Sequence, residues 1–257
     1  MTHSRVLVLA FPLVLGCPKQ APVQMPDFQL ADWRTHSGTQ VTYTEHTAVG
    51  PTRVAAEQRK IQERCRPAQL PEGAPELALS ELRICSTIGP EGSYFDNLQG
   101  VHSVGEVYFG VRIAEADWRF HSPKISIPTS FSIGDSWSAR HDPDSRHQLR
   151  RCDVVPSPFC ADGAAITCLT LAEHKVTWVR NNWCPGHGHV GHEGMVVTAG
   201  QAPMWSWSTG LSHGERAAPE VDIDQRPFPD PALLGGIADM LTAERLHELS
   251  PDEARLP

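Results

Sequence analysis

No stretch of this 257-residue chain is apolar for long enough to cross a bilayer as a helix. The longest apolar run, Val6–Leu15, has ten residues and would span only ~15 Å, about half the hydrocarbon core. A basic excess is also missing. With 22 Lys and Arg against 30 Asp and Glu, the formal net charge is −8, which opposes phosphate backbones and anionic headgroups. Nucleic acid is therefore not an expected partner. There is no internal repeat, so a solenoid is excluded, and no long run of like charge. The cysteines contain no C-x-x-C pair, which removes the zinc ribbons.

What is present begins with the ends of that short apolar run. Arg5 precedes it and Gly16-Cys17 closes it, the layout of a secretory signal segment. Val14-Leu15-Gly16-Cys17 resembles the lipobox of bacterial lipoproteins. The resemblance implies cleavage before Cys17, a diacylglycerol thioether on its sulfur and an acylated new N-terminus. Pro18 is not the aspartate associated with inner-membrane retention, so the resemblance favours the outer membrane of the cell envelope. Removing residues 1–16 takes away Arg5 and no acid, which leaves 241 residues at a net charge of −9. Attachment to the membrane would then come from the lipid, and more than one acyl chain makes a firm anchor.

Apart from Cys17 there are six cysteines, Cys65, Cys85, Cys152, Cys160, Cys168 and Cys184. An even number in an exported chain points to three disulfides. Fifteen pairings are possible. Cys65–Cys85 is the simplest guess, since these two lie together and far from the other four, which leave zinc ligation as the alternative.

Residues 18–36 are rich in proline and glutamine and suggest a tether. A strand is expected at Thr39–Thr44, then a helix from Pro51-Thr52 to about Cys65, with Val54, Ile61 and Cys65 on one face. Residues 66–100 suggest a long irregular connection with one amphipathic stretch at Leu77–Ile84. From Val104 to Ser208, short alternating segments recur every eight to twelve residues, separated by turn residues, the rhythm of an antiparallel all-β domain. A polar, proline-rich stretch (Ala218–Pro231) precedes one expected helix from Ala232 to about Leu249. The expected organisation is a signal peptide at 1–16, a lipidated tether at 17–36, a disulfide-stabilised mainly-β domain at 37–214, and a polar linker with a C-terminal helix at 215–257. The expected fold class is mainly β, an antiparallel curved sheet, half-barrel or sandwich with one or two peripheral helices.

Chemistry concentrates in Trp183–Gly194, which holds His187, His189, His192 and Glu193 among four glycines. Gly186-His187-Gly188-His189-Val190-Gly191 spells G-x-G-x-x-G, but a dinucleotide site needs a helix to follow, and Glu193–Thr198 is strand-like. The spacing His187-x-His189-x-x-His192 resembles the metallo-β-lactamase signature, except that Gly191 stands where that family has a ligating aspartate. On a strand, residues 187, 189 and 193 share a face, so His187, His189 and Glu193, with His192 as the alternative, form a candidate set for zinc or copper. Ile133-Gly134-Asp135-Ser136-Trp137 resembles the nucleophile block of GDSL esterases, and Asp144-x-x-His147 their second block. The two lie too close together for that family, and no catalytic residue is assigned from it. The seven tryptophans (33, 118, 137, 178, 183, 205 and 207) fill a core or line a groove for an apolar ligand.

Gly134-Asp135-Ser136-Trp137 together with Trp183-Cys184-Pro185-Gly186-His187-Gly188-His189-Val190 resembles uncharacterised envelope lipoproteins of Gram-negative bacteria. Their pattern is a GDSW start, then strands, then a W-x-P-G-x-G-x-V turn. The resemblance implies a β-rich, surface-tethered domain and carries over no catalytic residue. The leading expectation is a lipid-anchored envelope protein that serves as a non-enzymatic binding or scaffold module. A metal-binding protein or metalloenzyme on the histidine loop and a carrier of apolar ligands are the alternatives.

Overall fold

The computed structural model describes residues 28–30, 40–54, 57–140 and 148–249. Cys17, the tether apart from Phe28–Leu30, Trp33, Asp144 and His147 lie outside the described residues. The strands are β1 (Phe28–Gln29), β2 (Gln40–Val49), β3 (Glu57–Pro67), β4 (Glu81–Gly89), β5 (Gly92–His102), β6 (Gly105–Ile113), β7 (Arg119–Pro128), β8 (Ser130–Phe131), β9 (Ser136–Arg140), β10 (Leu149–Pro156), β11 (Ala164–Ala172), β12 (Lys175–Cys184), β13 (Gly188–Thr198), β14 (Met204–His213) and β15 (Arg216–Ala217). Two helices follow, α1 (Pro231–Met240) and α2 (Ala243–Glu248). The fold is mainly β, as expected.

One antiparallel sheet runs β7-β6-β5-β4-β3-β2-β14-β13-β12-β11-β10-β9, with β15 beside β14, and β1 pairs with β8. The chain starts in the middle at β2, meanders out to β7, crosses to the far edge at β9 and meanders back to β14. Twelve strands laid flat would put the two edges ~53 Å apart. The crossing from Pro128 to Ser136 reaches at most about 29 Å. The sheet therefore curls, without closing into a barrel. The curl is packed from inside, because Ile127 of β7 and Val154, Ile166 and Trp183 of β10–β12 share one cluster with Phe28 and Phe131.

Directly paired residues point to the same face, so the register assigns every strand position to the inner face or to its reverse. The reverse carries two apolar rows, Leu149-Leu171-Val176-Val197 and Leu169-Trp178-Met195-Trp205-Ala48. Leu234 and Ala238 of α1, Leu246 of α2 and Leu241 between the helices bury those rows, so this is the helix face. Farther along, Leu98, Val107 and Phe109 on the helix face are covered by Leu77 and Leu79 of the preceding loop and by Trp118 and Phe120. Strands β2 and β3 lie between these two covers.

Three expectations are corrected. Residues 57–67 form a strand, not a helix. Ile61, Glu63 and Cys65 face inward while Lys60, Gln62 and Arg64 face out, a period of two hidden by the number of charges. Residues 81–102 form two strands rather than an irregular connection. The C-terminal helix is two helices, broken at Leu241, because the Thr242 side chain accepts from Arg245 N and starts a new helix.

Three disulfides form, Cys65–Cys85, Cys152–Cys168 and Cys160–Cys184. The first two link residues directly opposite on neighbouring strands. The third ties the loop after β10 to the end of β12. It sits beside the histidine-rich turn.

Candidate functional site

The G-x-G-x-x-G stretch resolves into two kinds of glycine. Gly186 (φ +71°) and Gly188 (φ +75°) make the β12–β13 turn, in a region that L side chains rarely adopt. Gly191 is a close approach, since a Cβ there would lie 2.5 Å from Cζ of Phe159. The stretch therefore leads into a strand, not a helix, and offers no helix N-terminus to a phosphate.

A bulge decides where the histidines go. Asn182 pairs with Gly191 and Trp183 with His189, so Val190 is an extra residue on β13. Before the bulge, His189 shares the inner face with Trp183, and their rings lie 5.6 Å apart. Beyond it, His192 pairs with Asn181 on that same inner face, whereas Glu193 pairs with Arg180 and faces the helices. The expected set of His187, His189 and Glu193 on one face is thus corrected: the bulge reverses the parity between 189 and 193. His187 stays in the turn, its Nδ1 3.2 Å from Pro185 O. Among the described residues, no group of three or more His, Cys, Asp or Glu is placed to hold a metal.

Glu193 sits in a buried ionic cluster. Its Oε2 accepts from Arg180 Nε at 3.0 Å and from Asn182 Nδ2 at 2.7 Å, and Arg226 Nη1 lies 3.5 Å from Oε1. Glu193 and the Arg226 side chain are completely buried. Arg226 comes from the polar stretch before α1. It also donates to Ser208 O (2.8 Å) and Val221 O (3.0 Å), pairs with Glu220, and lies over the Phe159 ring. Arg53 donates to Ile223 O at 2.8 Å and caps the Phe228 ring. Residues 218–228 therefore form a strap across the polar row of the helix face, plugged by Arg226. The sequence reading missed Arg226. Its one local mark is the proline that follows it.

The inner face carries a second set. Below Glu193 the β13–β14 ladder ends and side chains bridge the gap: Ser208 Oγ accepts from His192 N at 2.9 Å, and His213 Nε2 is 2.6 Å from His189 O. His192 lies 3.3 Å from Asn181 Oδ1 and 3.4 Å from Ser206 Oγ. Burial pushes His189 down to about 3, helped by His192 and His213, and His192 down to about 4, helped by Arg226. On β2 and β3, Tyr43 donates to Glu63 at 3.1 Å. Burial raises Glu63, with Glu45 adding to the rise, and burial raises Glu45.

These shifts act in opposite directions. A histidine with a lowered folded pKa stays neutral while the unfolded chain takes up a proton below about 6.5, so stability falls on acidification at up to ~1.4 kcal/mol per pH unit per group. Glu45 and Glu63, with raised folded values, regain stability as they protonate. Urea midpoints measured from pH 7 to pH 4 are expected to fall for the parent. In a His189→Gln/His192→Gln variant they should fall less or rise. Parallel curves would show that the two rings are not held neutral.

Most of the other described motif residues build turns or core. Gly134 (φ +100°) and Asp135 make a turn in which Asp135 Oδ2 accepts from Ser132 N at 2.8 Å. Ser136, the residue in the esterase nucleophile position, is exposed on β9. Trp178, Trp205 and Trp207 lie under the helices and strap, and Trp137 and Trp183 pack in the inner cluster. No protein-family model matches the chain, and neither does any curated protein or solved structure.

Proposed function

We propose that the protein is a non-enzymatic binding module of the cell envelope, anchored in the outer membrane by a lipid on Cys17. The observation that carries this reading is the cysteine pairing. The six cysteines from Cys65 to Cys184 pair among themselves, which fits an oxidising compartment and leaves Cys17 as the odd one out, at the end of a lipobox-like run. The polar residues that first suggest chemistry hold the fold together instead. Glu193 is taken by two arginines and an asparagine, and the turn histidines lie against Trp183 or backbone carbonyls. The binding surface in this reading is the bare strip of β2 and β3 between the two covers of the helix face.

Intact-mass measurement on protein purified from membranes tests the anchor. The expected product starts at Cys17, carries a diacylglycerol and an N-acyl chain, and contains three disulfides. Cys17→Ala should release the protein from the membrane. An unacylated product, or a Cys17→Ala protein that stays membrane-bound, would overturn the reading.

A further inference from the structure

The bare strip has a charge unlike that of the whole molecule. On the helix face β3 presents Gln58, Lys60, Gln62, Arg64 and Arg66, while its acids, Glu57 and Glu63, fall on the other face. Lys60, Arg64 and Arg66 are exposed, and none of them makes an ion pair among the described residues. They span ~20 Å along the strand. The paired positions on β2 are Gln40, Thr42 and Thr44, and those on β4 are Ile84, Ser86 and Ile88. A strip with three unpaired cations and no carboxylate of its own thus crosses a protein of net charge −8, with Glu220 at its Gly210 edge, where the carboxylate accepts from Gly210 N at 2.8 Å and pairs with Arg226.

The upper part of this strip is concave. A groove of about 530 Å³ lies over Thr42, Thr44, Lys60, Gln62 and Ile88, with Pro90 and Gly210 on its walls. That volume falls in the range of small-molecule sites, roughly 300–1,000 Å³. Gly210 sits where the β14–β2 register shifts between Thr209 and Ser212, so the wall there is a bulge rather than a continued ladder. On the floor the hydroxyls of Thr42 and Thr44 and the amide of Gln62 surround one cation, Lys60, beside the apolar side chains of Ile88 and Pro90, and Arg64 and Arg66 continue the strip beyond the groove.

We propose that this groove binds an acidic oligosaccharide, with Lys60 pairing with a sugar carboxylate and Thr42, Thr44 and Gln62 hydrogen-bonding to hydroxyls. Arg64 and Arg66 meet further acid groups along the chain. A ligand dense in hydroxyls and with spaced carboxylates matches donors spaced in this way. A single-stranded nucleic acid would need stacking aromatics among the cations, and the strip has none. A flat bilayer does not follow a groove walled on both sides. The proposal rests on the binding-module reading but not on the anchor, so its test is independent of acylation.

The test is calorimetric titration of the full chain, purified in detergent from membranes, with trigalacturonate and with its fully methyl-esterified, uncharged form. The acid is expected to bind, and the ester at least about tenfold more weakly, the size of one lost charge-assisted contact. Lys60→Met should weaken binding of the acid by about tenfold, and Arg64→Met/Arg66→Met should weaken it further, with melting temperatures unchanged because all three side chains are exposed. Equal affinity for acid and ester, unchanged affinity in both variants, or no binding at millimolar concentration would each overturn the proposal.

Discussion

Replacing Glu193 by alanine is expected to cost about 3–5 kcal/mol, the range for breaking a buried ion pair by removing one partner. The reason lies in what stays behind. Arg180 and Arg226 are both almost fully buried, and without Glu193 neither has another buried carboxylate among the described residues. Arg226 retains its bonds to Ser208 O and Val221 O, and the partly exposed Glu220, so the charge is stranded rather than released. Exchanging all three for apolar residues of similar size (Glu193→Leu, Arg180→Met, Arg226→Met) should be far milder, because three charges need no longer be desolvated. Urea unfolding with the disulfides intact measures both. A single-variant cost below about 1 kcal/mol would mean that the cluster is hydrated and that residues 218–228 are held by Arg53 and Phe228 alone.

That cluster also marks how far the sequence could be read. Alternation is plain from Val104 to Ser208 because those strands bury at least one apolar face, and the antiparallel sheet follows from it. The same signal exists in β4, where Leu82, Ile84 and Ile88 recur at even positions, but Arg83, Cys85 and Thr87 between them dilute it. In β3 it fails for a physical reason: that strand has nothing over its helix face, so it needs few apolar residues. Its dense charges, with Val54, Ile61 and Cys65 spaced as on a helix, mimic a solvated helix. The break between α1 and α2 was legible in Thr242 and the acid two residues on, a helix-start pattern. The Cys65–Cys85 pairing was legible from proximity, whereas the other two depend on the register of β10 with β11 and on the loop over Gly191. No periodicity reveals the bulge at Val190. One inserted residue moved His189 to the face opposite Glu193 and so separated the donors that spacing had grouped. Arg226 was beyond reach, since its role depends on a strap whose path is set by tertiary packing.

Trp178→Ala should destabilise the protein by about 3–5 kcal/mol, the usual cost of removing a buried aromatic. Trp178 is 3% exposed and sits where three elements meet. Its ring is 5.4 Å from that of Phe228 in the segment leading to α1, Arg180 lies over it at 5.3 Å, and Met195 and Leu169 pair with it across the sheet. Its removal therefore leaves a cavity beneath the strap and takes away the surface on which Arg180 rests beside Glu193. Trp118→Ala is the matched control. That ring is half-buried and stacks on Phe120 under Arg112, so its loss should cost only about 1–2 kcal/mol, the middle of the range for point changes. The comparison separates the two roles open to the tryptophans. A residue lining a ligand groove could be cut back at little cost to stability, whereas one that seats the C-terminal helices could not. Equal, small losses for both variants would return Trp178 to the groove-lining role. A large loss confined to Trp178 would mean that the helix face of β11–β14 is core, which leaves the strip on β2 and β3 as the part of that face without a cover.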